Sequence, residues 1–280
     1  MNNDMKLLID CGGSGVKIKR YVGGVLRSTH QFKPKTREGF YNRIEEMAKD
    51  GNPVAEPRIA GMAISICGEY DYVDEEVKTC WFYPFLIGRL RDDLVERYGC
   101  DNVHIVNDGD AHVLALKQAY AEKGQKLASA INLSLGTSVG CGILDWRGEL
   151  LHTCQGHNWE VSSWRCETSE ENKNLYSALG HEGLERLEEK HGSSDAYIFY
   201  GQRLCHFLGR DLVPLFRPRL IGLSGGIAVA HAEEIREGIR RECELKHLCE
   251  VGKPLAGVGF HFSSEKDSVY KGLVGLLDQE

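Results

Sequence analysis

Apolar residues recur along this chain with two periods, and the switches between them mark its elements. Leu7, Leu8 and Ile9 form a short apolar run ending on Asp10, which predicts a buried strand. Gly12, Gly13, Ser14 and Gly15 make a turn, and a second strand follows to Tyr21. Gly23-Gly24 then predicts a hairpin into Val25–Phe32, giving a three-stranded meander. Phe40, Ile44 and Met47 fall at helical spacing between Thr36 and Asp50, and Pro53 and Pro57 close that helix. Arg58–Ile66 reads as a strand ending at Cys67-Gly68, and a loop rich in acids follows (Glu69, Asp71, Asp74, Glu75, Glu76). The aromatic run Trp81–Phe85 reads as core, and Leu86, Leu90 and Leu94 as one helix face stopped by Gly99. Val103–Val106 is a strand that runs into Asn107-Asp108-Gly109 and then a helix.

A second cycle begins after polar Glu122–Gln125. Ala130–Leu135 and Val139–Leu144 are strands around the turn Gly136-Thr137-Ser138. Asp145–Gly148 is a hairpin turn, and Leu150–Thr153 is expected to continue the sheet. The unit strand, glycine turn, strand, hairpin, strand therefore occurs twice. Residues 152–174 show no clean period. Helices are expected at 174–190, 195–210 and 229–248, a strand at Leu220–Leu223 before Ser224-Gly225-Gly226, a last strand at Leu255–Phe262, and a final helix at Lys266–Leu277. Alternating strands and helices predict an α/β fold.

Composition narrows the function classes. A net charge of −7 argues against nucleic acid or an anionic membrane as the main partner. The longest uncharged run, Leu127 to Leu144, carries Ser, Asn, Thr and Gly and reads as strand–turn–strand instead of a membrane span. The ten cysteines contain no CxxC pair. With Asn2, Asn3 and Asp4 where a signal peptide would begin, a reducing cytoplasmic location is expected.

Glycine turns let successive backbone N–H groups converge on an anion. Asp10 stands at a strand end, where an acid can hold magnesium directly or through water. Lys17 can reach a phosphate as a point charge. The same residues fit an ordinary glycine hairpin with an incidental acid. Asp108, at a strand end before a helix, fits either a general base or a helix cap, and the residues alone favour the cap. No GxxxxGK[ST], post-strand GxGxxG, HExxH or nucleophile elbow is present.

The three strand-then-glycine turns DCGGSGVK, SLGTSVGCG and LSGGIA, with VNDGDAHVLAL between the first two, resemble the actin-like ATPase and sugar-kinase superfamily. Within it they resemble the ROK family of sugar kinases. The resemblance covers nearly the whole chain, and it rests on the order of the motifs more than on any single one. It implies an α/β, two-lobed actin-like ATPase (ribonuclease H-like) fold with a central cleft that closes over substrates. A small lobe would span 1–108 with the C-terminal helix 266–280, and a large lobe 109–265.

The implied activity is ATP- and Mg²⁺-dependent phosphorylation of a hexose or amino-hexose, as in a glucokinase. Asp108 would be the general base and Asp10 the metal residue. Gly12, Gly13, Ser14, Lys17, Gly136, Thr137, Ser138, Gly225 and Gly226 would bind ATP. Asn107, Gly68, His157 and Glu167 would bind the sugar, although the proline often found near Gly68 in the family is missing. The chain departs from the family after Gly156-His157, where many members carry a zinc-binding C-x-C-G-x-x-G-C knot. Cys154, His157 and Cys166 offer three ligands, but the absent C-x-C argues against a structural zinc. The first strand starts near Met1, which argues against a helix-turn-helix repressor. A homodimer is expected by analogy with the family. Rival readings are a catalytically weak sugar sensor, and a kinase using N-acetylhexosamine as acceptor or polyphosphate as donor.

Overall fold

The structure, a computed structural model, describes residues 4–49, 58–166, 173–245, 255, 257–264 and 268–278. Its contacts divide the chain into two compact units. Unit 1 is Met1–Gln118, His152–Asn158 and Val269–Glu280; unit 2 is Ala119–Leu151 and Trp159–Ser268. The first break falls after Gln118 instead of at Asp108.

Unit 1 is built on a five-stranded sheet. Its strands are β1 (Met5–Gly12), β2 (Gly15–Val22), β3 (Val25–Phe32), β4 (Ile59–Ile66) and β7 (Val103–Asn107), with two short strands, β5 (Tyr70–Asp71) and β6 (Glu76–Val77), paired separately. The order is β3-β2-β1-β4-β7, with the first three strands antiparallel and β1, β4 and β7 parallel. Side chains of successive strand residues point to opposite faces. Leu7 and Ile9 therefore enter one core with Phe40 and Ile44 of α1 (Arg37–Lys49) and Leu90 and Leu94 of α2 (Leu90–Tyr98). Leu8, Ala63 and Val106 enter a second core with Ala111 of α3 (Asp108–Ala121) and Val269, Leu273 and Leu277 of α10 (Val269–Leu277). Gly272 lets α10 lie directly against the α3 backbone, since a Cβ there would sit 2.0 Å from Ala111 O. Leu86 belongs to a separate 3₁₀ turn, Pro84–Leu86, so the helix expected from Leu86 begins only at Leu90.

Unit 2 has a four-stranded sheet of order β13-β12-β8-β9. These strands are β8 (Ala130–Leu135), β9 (Val139–Leu144), β12 (Leu220–Ser224) and β13 (Gly259–Phe262); β10 (Arg165–Cys166) and β11 (Lys173–Asn174) pair with each other. β8 and β9 are antiparallel, while β8, β12 and β13 are parallel. Leu150–Thr153 does not continue this sheet as a strand. It makes one bridge, Leu144 to Leu150, and from His152 the chain belongs to unit 1.

The helix expected at 174–190 is two, α4 (Leu175–Leu179) and α5 (His181–His191). They are parted by Gly180, whose extended backbone ends one and caps the next. α6 (Ser193–Phe207) continues through a π-helical turn, Leu208–Leu212, into α7 (Val213–Phe216). α8 (Gly225–Ala230) starts at the glycine pair itself, and α9 (Ala232–Leu245) follows. Ile131, Leu133 and Leu135 of β8 pack with Tyr200, Leu204 and Ile235 in a single core.

Candidate functional site

Three parallel strands deliver the unit 1 residues to one sheet edge. Register sets Asp10 beside Ser65, Ser65 beside Val106 and Ile66 beside Asn107. In open α/β sheets the carboxyl ends of parallel strands are where ligands bind. Asp10 is half-buried, and Ser65 Oγ donates to its Oδ1 at 2.6 Å. Gly12 pairs with Gly15 across a tight turn made by Gly13 and Ser14. Tyr83 Oη donates to Gly12 O at 3.1 Å, and Gln31 Nε2 to Ser14 O at 3.3 Å. The Phe82 ring lies over Gly13, since a Cβ there would sit 2.8 Å from the ring. Trp81 and Phe82 are exposed, so of the aromatic run only Tyr83 is core, with Phe85 packed half-buried against it. Lys17 stands opposite Asp10 in the β1–β2 pair, with its side chain on the same face.

At the end of β7 two side chains meet the first turn of α3. Asn107 Oδ1 accepts from Gly109 N at 2.8 Å, which makes Asn107 a cap of α3, and its Nδ2 donates to Gly68 O at 2.7 Å. Asp108 is the first residue of α3, half-buried, with Oδ1 accepting from Gly109 N at 2.9 Å. Burial pushes the neighbouring Cys80 thiol up to about 11; the Tyr83 backbone opposes this, and the Asp108 charge adds to it. Gly68 meets a backbone demand of its own, because a Cβ there would lie 2.1 Å from Thr79 O.

Beneath this edge lies a buried polar chain. Asn107 N donates to Tyr72 Oη at 3.1 Å, and Tyr72 Oη donates to Asp110 Oδ2 at 2.6 Å. Burial holds the Asp110 carboxyl up at about 7, with the Tyr72 hydrogen bond opposing. His152 stacks on Tyr72 with ring centroids 3.8 Å apart, and burial lowers its pKa.

His157 joins this region through acids that sequence reading left unassigned. Its Nδ1 meets Glu69 Oε1 at 2.6 Å and its Nε2 meets Asp71 Oδ2 at 3.3 Å. Backbone N–H groups of Asp74 and Val73 hold Asp71 down at about 2, helped by Lys78 and His157. Glu69 follows Gly68, so the Asn107 bond to Gly68 and the His157 bond to Glu69 bring three predicted sugar residues together. Glu167 lies outside the described residues. Among those described, no group of three or more His, Cys, Asp or Glu can hold a metal.

Unit 2 brings its two glycine turns side by side. Gly225 has φ +87°, and a Cβ there would lie 2.5 Å from Leu135 O, so both conformation and space require glycine. Leu135 leads into Gly136-Thr137-Ser138, where Gly136 N donates to Ser138 O at 3.1 Å. His181 N, at the start of α5, donates to Thr137 O at 3.3 Å. Asn132 Nδ2 donates to Ser224 Oγ at 2.8 Å, tying β8 to β12 below the turns.

No family model matches the chain, and no curated protein matches it. Solved structures do. A ROK family protein from Streptococcus pneumoniae TIGR4, in complex with sucrose, superposes with a TM-score of 0.74 at 17% identity, covering 98% of both chains. The fold is the ROK fold. A ROK family glucokinase from Streptomyces griseus, in complex with glucose and AMPPNP, matches with a TM-score of 0.70 at 19% identity, again covering 98% of both chains. An inorganic polyphosphate/ATP-glucomannokinase from Arthrobacter sp. strain KM matches with a TM-score of 0.69 at 18% identity, covering 99% of this chain and 100% of that one. The chain therefore has the actin-like ATPase architecture that ROK proteins share. No helix among the described residues is long and apolar enough to cross a membrane.

Proposed function

We propose that this protein transfers the γ-phosphoryl group of ATP to a hydroxyl of a hexose or amino-hexose, with Asp108 as general base. The observation that carries the reading is the division of labour after β7. Asn107 takes a capping bond and the bond to Gly68, while the half-buried Asp108 carboxylate, with Oδ1 on the same Gly109 N, stands beside it at the strand edge. Asp108 would accept the proton of the sugar hydroxyl as its oxygen attacks the γ-phosphorus and ADP leaves. Asn107 has a second amide hydrogen to offer a neighbouring hydroxyl. Gly68 would line the sugar site, and His157, fixed by Glu69 and Asp71, would present its ring to the sugar together with Glu167.

Gly12, Gly13, Ser14 and Lys17 in unit 1, and Gly136, Thr137 and Ser138 in unit 2, are the proposed phosphate contacts. Gly225 and Gly226 would leave room for adenosine. Asp10, steadied by Ser65, suits a magnesium ion that keeps most of its water. When bound, that ion would neutralise phosphate charge. One solved structure of the same fold bound to glucose and AMPPNP, and another named for both ATP and polyphosphate, support the reading.

The test is ADP release from Mg-ATP over a panel of hexoses and N-acetylhexosamines, with wild type beside Asp108→Ala. One sugar should stimulate turnover, and the variant should lose about 10²–10⁴ in rate. Binding of sugar without turnover would make the protein a sensor, and turnover that survives the substitution would remove Asp108 from the mechanism.

A further inference from the structure

In unit 2, α6 and α9 run together with their backbones in contact. A Cβ on Gly201 would lie 2.3 Å from Ile235 O, and one on Gly238 would lie 2.1 Å from Ile198 O. Helices faced with ordinary side chains keep their axes about 8–10 Å apart, whereas glycine facing glycine lets them close in. About one turn further along, Cys205 Sγ and Cys243 Sγ stand 3.6 Å apart. The residues beside them also pair, with His206 Nε2 meeting Glu242 Oε1 at 2.6 Å. The glycine contact sets the spacing and the two side-chain pairs fix the register. Cys205 is buried, while Cys243 is half-buried and open to a small oxidant.

We propose that Cys205 and Cys243 are a peroxide-reactive dithiol that closes to a disulfide between α6 and α9. Cys243, the more exposed sulfur, attacks hydrogen peroxide as its thiolate. An S–O bond forms, the O–O bond breaks, and the leaving hydroxide takes up the thiol's proton as water. Cys205 Sγ then attacks the sulfenic sulfur of Cys243. The S–S bond forms, the S–O bond breaks, and hydroxide leaves with the Cys205 proton as a second water. Two thiols are oxidised and one peroxide is reduced. The sulfurs must close from 3.6 Å to about 2.05 Å, a shift within reach of side-chain rotation at such a close crossing. The hydrogen bond from Cys205 holds the Cys243 thiol below its ordinary range, against burial and the Glu242 and Glu244 charges, which raise it. The cross-link would pin α9, the helix that follows the Gly225 turn through α8. It is independent of the reaction proposed above.

The full chain, reduced and then exposed to hydrogen peroxide, is blocked with N-ethylmaleimide and digested without reductant for mass spectrometry. The expected product is a Cys205–Cys243 cross-linked peptide, with a rise in Tm of about 5 °C that dithiothreitol reverses. In Cys205→Ser the oxidation should stop at Cys243 as a dimedone-reactive sulfenic acid, with no rise in Tm. Peroxide treatment that oxidises other cysteines and yields no Cys205–Cys243 peptide from wild type overturns the proposal. That wild-type result stands whether or not the variant folds.

Discussion

Units 1 and 2 start alike and diverge at their third strand. Both open with a strand, a glycine turn and an antiparallel partner, β1–β2 in one and β8–β9 in the other. In unit 1 the next hairpin leads into β3, a full strand with little burial at the sheet edge. In unit 2 the corresponding chain makes one bridge, Leu144 to Leu150, and from His152 to Asn158 is part of unit 1. There His157 bridges Asp71 through the backbone and joins Glu69 and Asp71 through its ring. A strand that one unit spends on its own edge is, in the other, given up to complete a polar cluster. The architectural repeat is kept in its glycine turns while its edges are put to separate use.

The turns themselves are also held differently, and substitutions separate the two. The largest effect is expected beneath the unit 1 edge, at Asp110. The folded chain keeps this proton up to about pH 7, whereas the ordinary carboxyl value is 3.8, so stability falls as pH rises between those values. Wild type should lose on the order of 3 kcal/mol over that window that Asp110→Asn does not lose. His112, which burial holds down at about 4, destabilises the fold as pH falls from its ordinary 6.5. It does so in both proteins, so urea titrations at pH 4.5 and 8 leave the Asp110 contribution together with that of His152, whose Nε2 lies 3.7 Å from Asp110 Oδ2. In unit 2 the corresponding weak point is steric. Gly225→Ala should cost about 3 kcal/mol by thermal or urea unfolding, because the new Cβ meets Leu135 O in a left-handed conformation. Asn107→Ala should cost about 2 kcal/mol, combining a lost cap with the lost bond to Gly68. Tyr83→Phe removes one hydrogen bond to Gly12 O and should cost about 1 kcal/mol while raising the KM for ATP. A stability loss from Gly225→Ala no larger than that from Tyr83→Phe would mean that the turns respond alike, and the contrast between them would fail.

Much of this was legible from local pattern. Apolar runs punctuated by glycine located β1, β2, β4, β8, β9 and β12, because a buried strand must be apolar and its exit must turn, and the Gly23-Gly24 hairpin located the exposed β3. The Asn-Asp pair at the end of β7 was visible for the same reason. What sequence could not supply was long-range partnership. Glu69 and His157 lie far apart in the chain and meet only because residues 152–158 leave one unit for the other. Asn and Asp both cap helices, and only the geometry shows that Gly109 N meets the Oδ1 atoms of Asn107 and Asp108 together while the bond to Gly68 belongs to Asn107. Gly180 broke a helix whose apolar spacing runs on without interruption, and the π-helical turn at Leu208–Leu212 carried another past its expected end. The acid that would have drawn attention, Asp110, looks like any first-turn carboxylate until its burial is known.

The central claim is that Asn107 supports the fold while Asp108 does chemistry. The most direct test measures kcat and Tm together for Asp108→Asn and Asn107→Ala, with whichever sugar of the panel stimulates ADP release by wild type. Asp108→Asn should lose about 10²–10⁴ in kcat with Tm near that of wild type, and Asn107→Ala should lower Tm. If Asp108→Asn instead lowers Tm and keeps its turnover, Asp108 is the structural residue and the account is wrong.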